Sequence, residues 1–319
     1  MSWDREPLFA KASLYFEKAF EQDREEPFFG LWCAMGLELL LRSAVSNVSP
    51  TLLAEPHRDH QNLLHALSLG SPKSRKISIG TAQVLSLCQT LIKEFTDSEF
   101  KTCSAIINQR NEELHTGGNA FGEYPTQYWI AGFFKSCKIL CEAQGESLDS
   151  LFEDEIKQEA ELIIEEAEKE TINQTKSSIA AHTKVFEEKS EEEKEAKKIE
   201  AEKHSNALVI SGHHRVECPA CGCKATISGE PYGKENVQTI DGEIVVRQSM
   251  LPTKFVCKAC DLKLNGYSSL AAADLANYFT RRRIYSPEAY FELIHPDDYD
   301  SIEALYLEQN PIYDEYNNE

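Results

Sequence analysis

Two short cysteine pairs constrain this chain more than any other feature: Cys218-x-x-Cys221 and Cys257-x-x-Cys260. Each pair offers two thiolates from one tight turn. Two such turns close a tetrahedron around a Zn²⁺ ion, with Zn–S distances of about 2.3 Å. The flanking stretches, "ALVISGHHRVECPACGCKATISG" and "EIVVRQSMLPTKFVCKACDLKLNGYSSL", are rich in β-branched residues and turn formers. They predict short strands around two knuckles, a zinc ribbon over residues 207–284. Redox C-x-x-C pairs or plain core thiols are the alternative, but two copies flanked by strands disfavour it. Four thiolates fill the coordination sphere, so a zinc ion here is structural. Cys223, His213 and His214 are spare donors that compete for a ligand place.

The other cysteines follow a different logic. Cys33, Cys88, Cys103, Cys137 and Cys141 lie in apolar stretches with helical periodicity, where a reduced Cys acts as a small hydrophobe. A cytoplasmic protein is predicted by the two features that follow, and in that compartment the paired spacing reads as metal rather than disulfide. The N-terminus, "MSWDREPLFAKASLYFEKAF", lacks the basic and apolar regions of a signal peptide. No uninterrupted run of about 18 apolar residues is present, which predicts no membrane span.

The first half reads as all-α. Apolar residues recur at helical spacing over 5–22, 27–45, 60–69, 81–95, 97–115 and 126–144. Thr96 or Asp97 is the N-cap candidate of the fifth segment, and Gly117–Gly118 should stop it. The expected organisation is multidomain: an all-α bundle over 1–145, an acidic helical connector over 146–206, the β-rich ribbon, and an acidic, weakly ordered tail over 285–319. In the connector, Phe152, Ile156, Ala160, Ile163, Ala167, Ile172, Ile179 and Phe186 form an apolar seam that could pack two protomers together, although it slips phase near 170. Residues 187–204 read as a solvated linker or charged helix, and 270–284 as a small helix.

Charge is divided along the same lines. Of the net charge of −20, the first 145 residues carry −3, residues 146–206 carry −10, residues 207–283 carry +3 and the remainder −10. A uniformly acidic protein would repel nucleic acid. Here the acid sits in the connector and tail. The ribbon keeps Lys224, Lys254, Lys258, Lys263 and Arg281–Arg283, enough for contact with nucleic acid or a partner protein.

Within the bundle, "RNEELH", Arg110 to His115, stands out. Cys103, Ile107, Arg110 and Leu114 follow steps of four, three and four, so Arg110 occupies the apolar stripe of its helix. A guanidinium there must find an anion, a polar partner or an interface. Asn111 and His115 share the adjacent face. Glu38 is the lone charge in the apolar run Phe28–Leu41 and needs a cation. Arg42 is its local candidate and Arg110 its distant one. The plain alternative is that Arg110 pairs with Glu38 or Glu113 and that His115 is a surface histidine at a helix end.

Arg110-Asn111-x-x-x-His115 resembles the R-x4–6-H signature of the HEPN superfamily. The all-α setting, the long apolar second helix with an internal acid, and the signature at the end of a late helix extend the resemblance over about residues 5–145. Gly117 stands where one variant of the signature has Tyr. The resemblance implies a dimeric, metal-independent endoribonuclease of the kind found in toxin and antiviral systems. Its two signature helices would face each other through residues 1–145. In that reading His115 transfers protons, Arg110 stabilises charge on the phosphorane, Asn111 orients, and Glu38 supports Arg110. The competing expectation is a non-catalytic dimeric adaptor that docks partners on its zinc ribbon.

Overall fold

The computed structural model describes residues 3–70, 76–292 and 299–309. Its first part is helical: α1 (Arg5–Phe20), α2 (Pro27–Val48), α3 (Gln61–Ala66), α4 (Thr81–Leu91), α5 (Asp97–His115), α6 (Ala120–Glu123) and α7 (Ile130–Glu142). The apolar α2 is the centre of this bundle, touching α1, α4, α5, α6 and α7. Phe16, Phe29, Trp129, Phe133 and Phe134 are buried around it. Gly36 is what lets α1 come so close, since a Cβ there would sit 2.5 Å from the Phe16 ring. By length and composition alone α2 could cross a bilayer, although Glu38 and Arg42 interrupt its apolar run. Most of it is buried in the chain's own core, as in a core helix.

Two long helices follow, α8 (Asp154–Glu187) and α9 (Glu191–Ile210). They are not a detached connector. Ala160 and Ile164 of α8 are buried in the bundle core, with Ile156 and Ile163 beside them. Further along, Phe186 is buried in a second core, with Ile179 against it. The apolar seam that could have joined two protomers is therefore largely spent within one chain. The charged stretch is helical rather than a loose linker, and its Ala201 packs into the second core. Residues 207–210, expected in a strand, form the last turn of α9.

The second core lies under an antiparallel sheet of β1 (His214–Glu217), β2 (Lys224–Ile240), β3 (Glu243–Val256), β4 (Lys263–Asn265) and β5 (Phe279–Tyr285), with α10 (Tyr267–Ala272) after β4. The strand order is β1-β2-β3-β4, and β5 also pairs with β3. The expected helix over 270–284 is corrected here. Helix α10 ends at Ala272, Asp274 takes a left-handed φ of 60°, and "FTRRRIY" becomes β5 along Ile244–Met250 of β3. Its aromatic and β-branched residues suit a strand better than the helix suggested by Ala271–Ala273. The tail contributes α11 (Pro287–Tyr290) and α12 (Tyr299–Gln309). The expectation of weak order there falls partly on residues 293–298 and 310–319, outside the described residues.

Candidate functional site

The four paired cysteines converge. The Sγ atoms of Cys218, Cys221, Cys257 and Cys260 all lie within 4.8 Å of one another. Cys218–Cys260 and Cys221–Cys257 are each 3.6 Å apart. A tetrahedron with Zn–S of about 2.3 Å has edges of about 3.8 Å, so the cluster can hold a metal ion such as zinc. Each knuckle is closed by its backbone. Cys218 N–H donates to Cys223 O, and Cys257 N–H donates to Leu262 O, both at 2.9 Å. The residue after each second cysteine turns left-handed, Gly222 at φ 68° and Asp261 at φ 61°. Hydrogen bonding among the four thiols pushes Cys218 and Cys257 down and Cys221 and Cys260 up.

The spare donors do not join the cluster. Cys223 Sγ points to Cys221 O at 3.7 Å, and His214 stacks on Phe279 with ring centres 5.0 Å apart. Among the described residues no histidine belongs to the group. Helices α8 and α9 brace the knuckles. Thr183 Oγ1 donates to Ala220 O at 2.9 Å, and Lys258 pairs with Glu200 at 3.7 Å. The five helical-domain cysteines are buried. Burial pushes the Cys103 thiol up to about 12, in keeping with its use as an apolar group.

The second candidate lies along α5. Thr96 is the N-cap, its hydroxyl accepting from Ser98 N–H and its own N–H donating to Glu99 Oε2 at 3.0 Å. The helix ends at His115 with Thr116, not a glycine, as C-cap. Arg110 makes its ion pair with Glu38. Glu38 also accepts from Arg42 Nη2 at 3.0 Å and from Thr81 Oγ1 at 2.7 Å. Arg42 in turn donates to Ile79 O at 3.1 Å and Ser78 Oγ at 3.2 Å. Burial works against ionisation of Glu38, but the Thr81 hydroxyl and the two guanidiniums outweigh it, holding the carboxyl below its ordinary value. Glu113 is used elsewhere, accepting Ala120 N–H at 2.7 Å at the start of α6.

One carboxylate thus holds two guanidiniums, leaving one positive charge uncompensated in the group. Arg110 Nε is buried without a hydrogen-bond partner. Asn111 and His115 are exposed, and the half-exposed Leu114 stands beside them. The structure joins Glu38 to Arg110 and leaves Asn111 and His115 open on the adjoining surface. Thr81 and Ser78 were missed from the sequence. Nothing local marks them, because they come from a different helix and its approach.

Also missed was a cleft of about 870 Å³ between the bundle and the sheet module, lined in part by Lys93, Lys135, Lys138, Tyr267, Ser268 and Tyr278. Comparison with protein-family models, curated proteins and solved structures returned no match.

The Glu38 group makes a stability prediction. Glu38→Gln strands two half-buried arginines and should cost about 3–5 kcal/mol. Arg110→Ala should cost less, about 1–3 kcal/mol, because Glu38 keeps Arg42 and Thr81. The folded-state carboxyl is depressed, so its contribution is present above the unfolded value of about 4.3 and is lost as pH falls through the folded value. The gap between wild type and Glu38→Gln in urea melts should therefore be full at pH 7 and narrow below about pH 4. A gap independent of pH would contradict the ion-pair assignment.

Proposed function

We propose that the chain is a metal-independent endoribonuclease of HEPN type whose sheet module carries a structural zinc ion. The observation that supports it is the surplus positive charge of the Glu38–Arg42–Arg110 group lying next to exposed Asn111 and His115. RNA brings its own nucleophile. His115 accepts the 2′-OH proton, the 2′-oxygen bonds to phosphorus, and the P–O5′ bond breaks. The products are a 2′,3′-cyclic phosphate and a 5′-oxygen that must gain a proton. Arg110 offsets charge on the pentacoordinate phosphorus, and Asn111 orients the phosphate or the imidazole. One imidazole cannot be acid and base at the same instant, so a second copy supplies the other. In biological terms this is an effector of the toxin or antiviral kind.

The test is cleavage of an end-labelled oligoribonucleotide with EDTA present and zinc content measured alongside, wild type against His115→Ala. A second reading, a non-catalytic dimeric adaptor with the zinc ribbon as docking surface, is favoured by one observation: Arg110 is already paired with Glu38, which a purely structural role explains. Wild type that never cleaves RNA would favour the adaptor.

The composite site requires a dimer through the helical bundle. Light scattering of the full chain should give twice 36.1 kDa, and Leu114→Arg, which places charge beside the proposed contact, should shift it toward monomer and lower cleavage together. A monomer that cleaves as fast as wild type would rule out the composite site.

A further inference from the structure

The sheet module carries a charge arrangement that its metal does not explain. In the register of β3 with β5, Arg247 stands directly opposite Arg282. Like charges so placed destabilise a strand pair unless an anion lies over them. Neither arginine makes an ion pair among the described residues, although the chain has 53 Asp and Glu. Arg247 donates to Gln238 Oε1 at 2.7 Å, which leaves its charge intact. Two residues along the same face, Ser249 stands opposite both Thr280 and Tyr232.

Tyr278, two residues before Thr280, continues this face. Its ring centre is 5.3 Å from that of Tyr232. The Lys93 ammonium, from the bundle, lies 4.9 Å from the Tyr278 ring centre and 5.6 Å from that of Tyr232. Lys93 and Tyr278 then form part of the wall of the cleft between the two modules. Tyr278 is 40% exposed, leaving ring surface open to a ligand. Carboxylates border the cleft as well, Glu94 and Glu142 among them.

Paired cations, then paired phenol rings with a third cation, follow one another over the four residue steps from Arg282 back to Tyr278, which directly precedes β5, about 13 Å. Cations that meet phosphates, alternating with rings that stack unpaired bases, are what a single strand of nucleic acid requires. A duplex would hide its bases from the tyrosines. We propose that this face is a track for single-stranded RNA, with phosphates on Arg282, Arg247 and Lys93 and bases on Tyr232 and Tyr278. The choice of RNA over DNA rests on the ribonuclease reading. The track itself does not depend on catalysis, because the cleft meets α5 near Ser98, and His115 lies 17 residues further along the helix, about 25 Å away.

The experiment uses the zinc-loaded full chain and a fluorescent 20-mer of 2′-O-methyl RNA, which cannot be cleaved by 2′-OH attack. Anisotropy is read between 50 and 200 mM salt. The Arg247→Gln/Arg282→Gln variant should bind at least about tenfold more weakly and lower the salt slope by about 1.4, for two lost phosphate contacts. Tyr278→Ala should weaken binding at least about fivefold with the slope unchanged. His115→Ala should bind as wild type does. Binding that survives in a protein with no nuclease activity would uphold the track and refute only the catalytic reading. Absence of binding by wild type, variants that bind normally, or tighter binding of single- or double-stranded DNA of the same length would overturn it. Melts and zinc content confirm that each exposed-residue variant is folded.

Discussion

Cys218→Ser and Cys260→Ser should each lose the metal and unfold the sheet module. Freshly purified wild type should carry about one zinc per chain, and the variants close to none. The expected effect is large because a structural zinc site contributes about 10–16 kcal/mol, comparable with the whole stability of an ordinary domain. The second core is small, and the knuckle cysteines are themselves part of it. Without the ion, four thiols, three of them on buried cysteines, meet at a point where sulfur–sulfur contact replaces coordination. The cluster draws no ligand from the bundle, so the bundle's helices should persist. Metal analysis, circular dichroism and limited proteolysis together read this out. A wild type purified without metal, or a metal-free Cys218→Ser whose sheet module resists protease, would refute the assignment.

His115→Ala should lower RNA cleavage by about 10²–10⁴, the usual scale for a general acid–base group, and leave the melting curve unchanged. Its side chain is exposed at the last residue of α5, so little packing is lost. Arg110→Ala should be equally inactive and also less stable, since it leaves the Glu38 group. Asn111→Ala should be milder, because an orienting group transfers no charge. Wild-type products must carry a 2′,3′-cyclic phosphate and a 5′-OH, and 2′-O-methyl RNA must resist. Undiminished cleavage by folded His115→Ala, or products with 5′-phosphate, would exclude this chemistry and leave the adaptor reading in front.

The two candidate sites were legible in the sequence to different depths. The cysteine cluster could be read almost whole, because each half is a local turn and only the meeting of two turns is left to the fold. The Glu38–Arg110 pair was legible from two oddities, an acid in an apolar helix and an arginine on an apolar stripe, each needing the other. Arg42 was readable one turn away. Its bonds to Ser78 and Ile79 were not, because they depend on how the segment before α4 is laid down.

Strand β5 was obscured because three consecutive arginines carry no periodicity, so the preceding alanines dominated. The phase slip near residue 170 was visible, but its cause was not. It falls between Ile164, buried in one core, and Ile179, packed on the other. The apolar stripe shifts where the helix changes partners.

That sharing of α8 between two cores makes the helix a keyed shaft. Adding one residue between Ile164 and Ile179 would turn everything beyond it by about 100° and advance it by about 1.5 Å, taking Lys93 away from Tyr278 and removing one wall of the cleft. Adding seven residues would nearly restore the angle but displace the sheet module by about 10 Å. Exchange of this sheet module with another chain is therefore constrained in angle and length at once, and the helix cannot be lengthened as a flexible tether could.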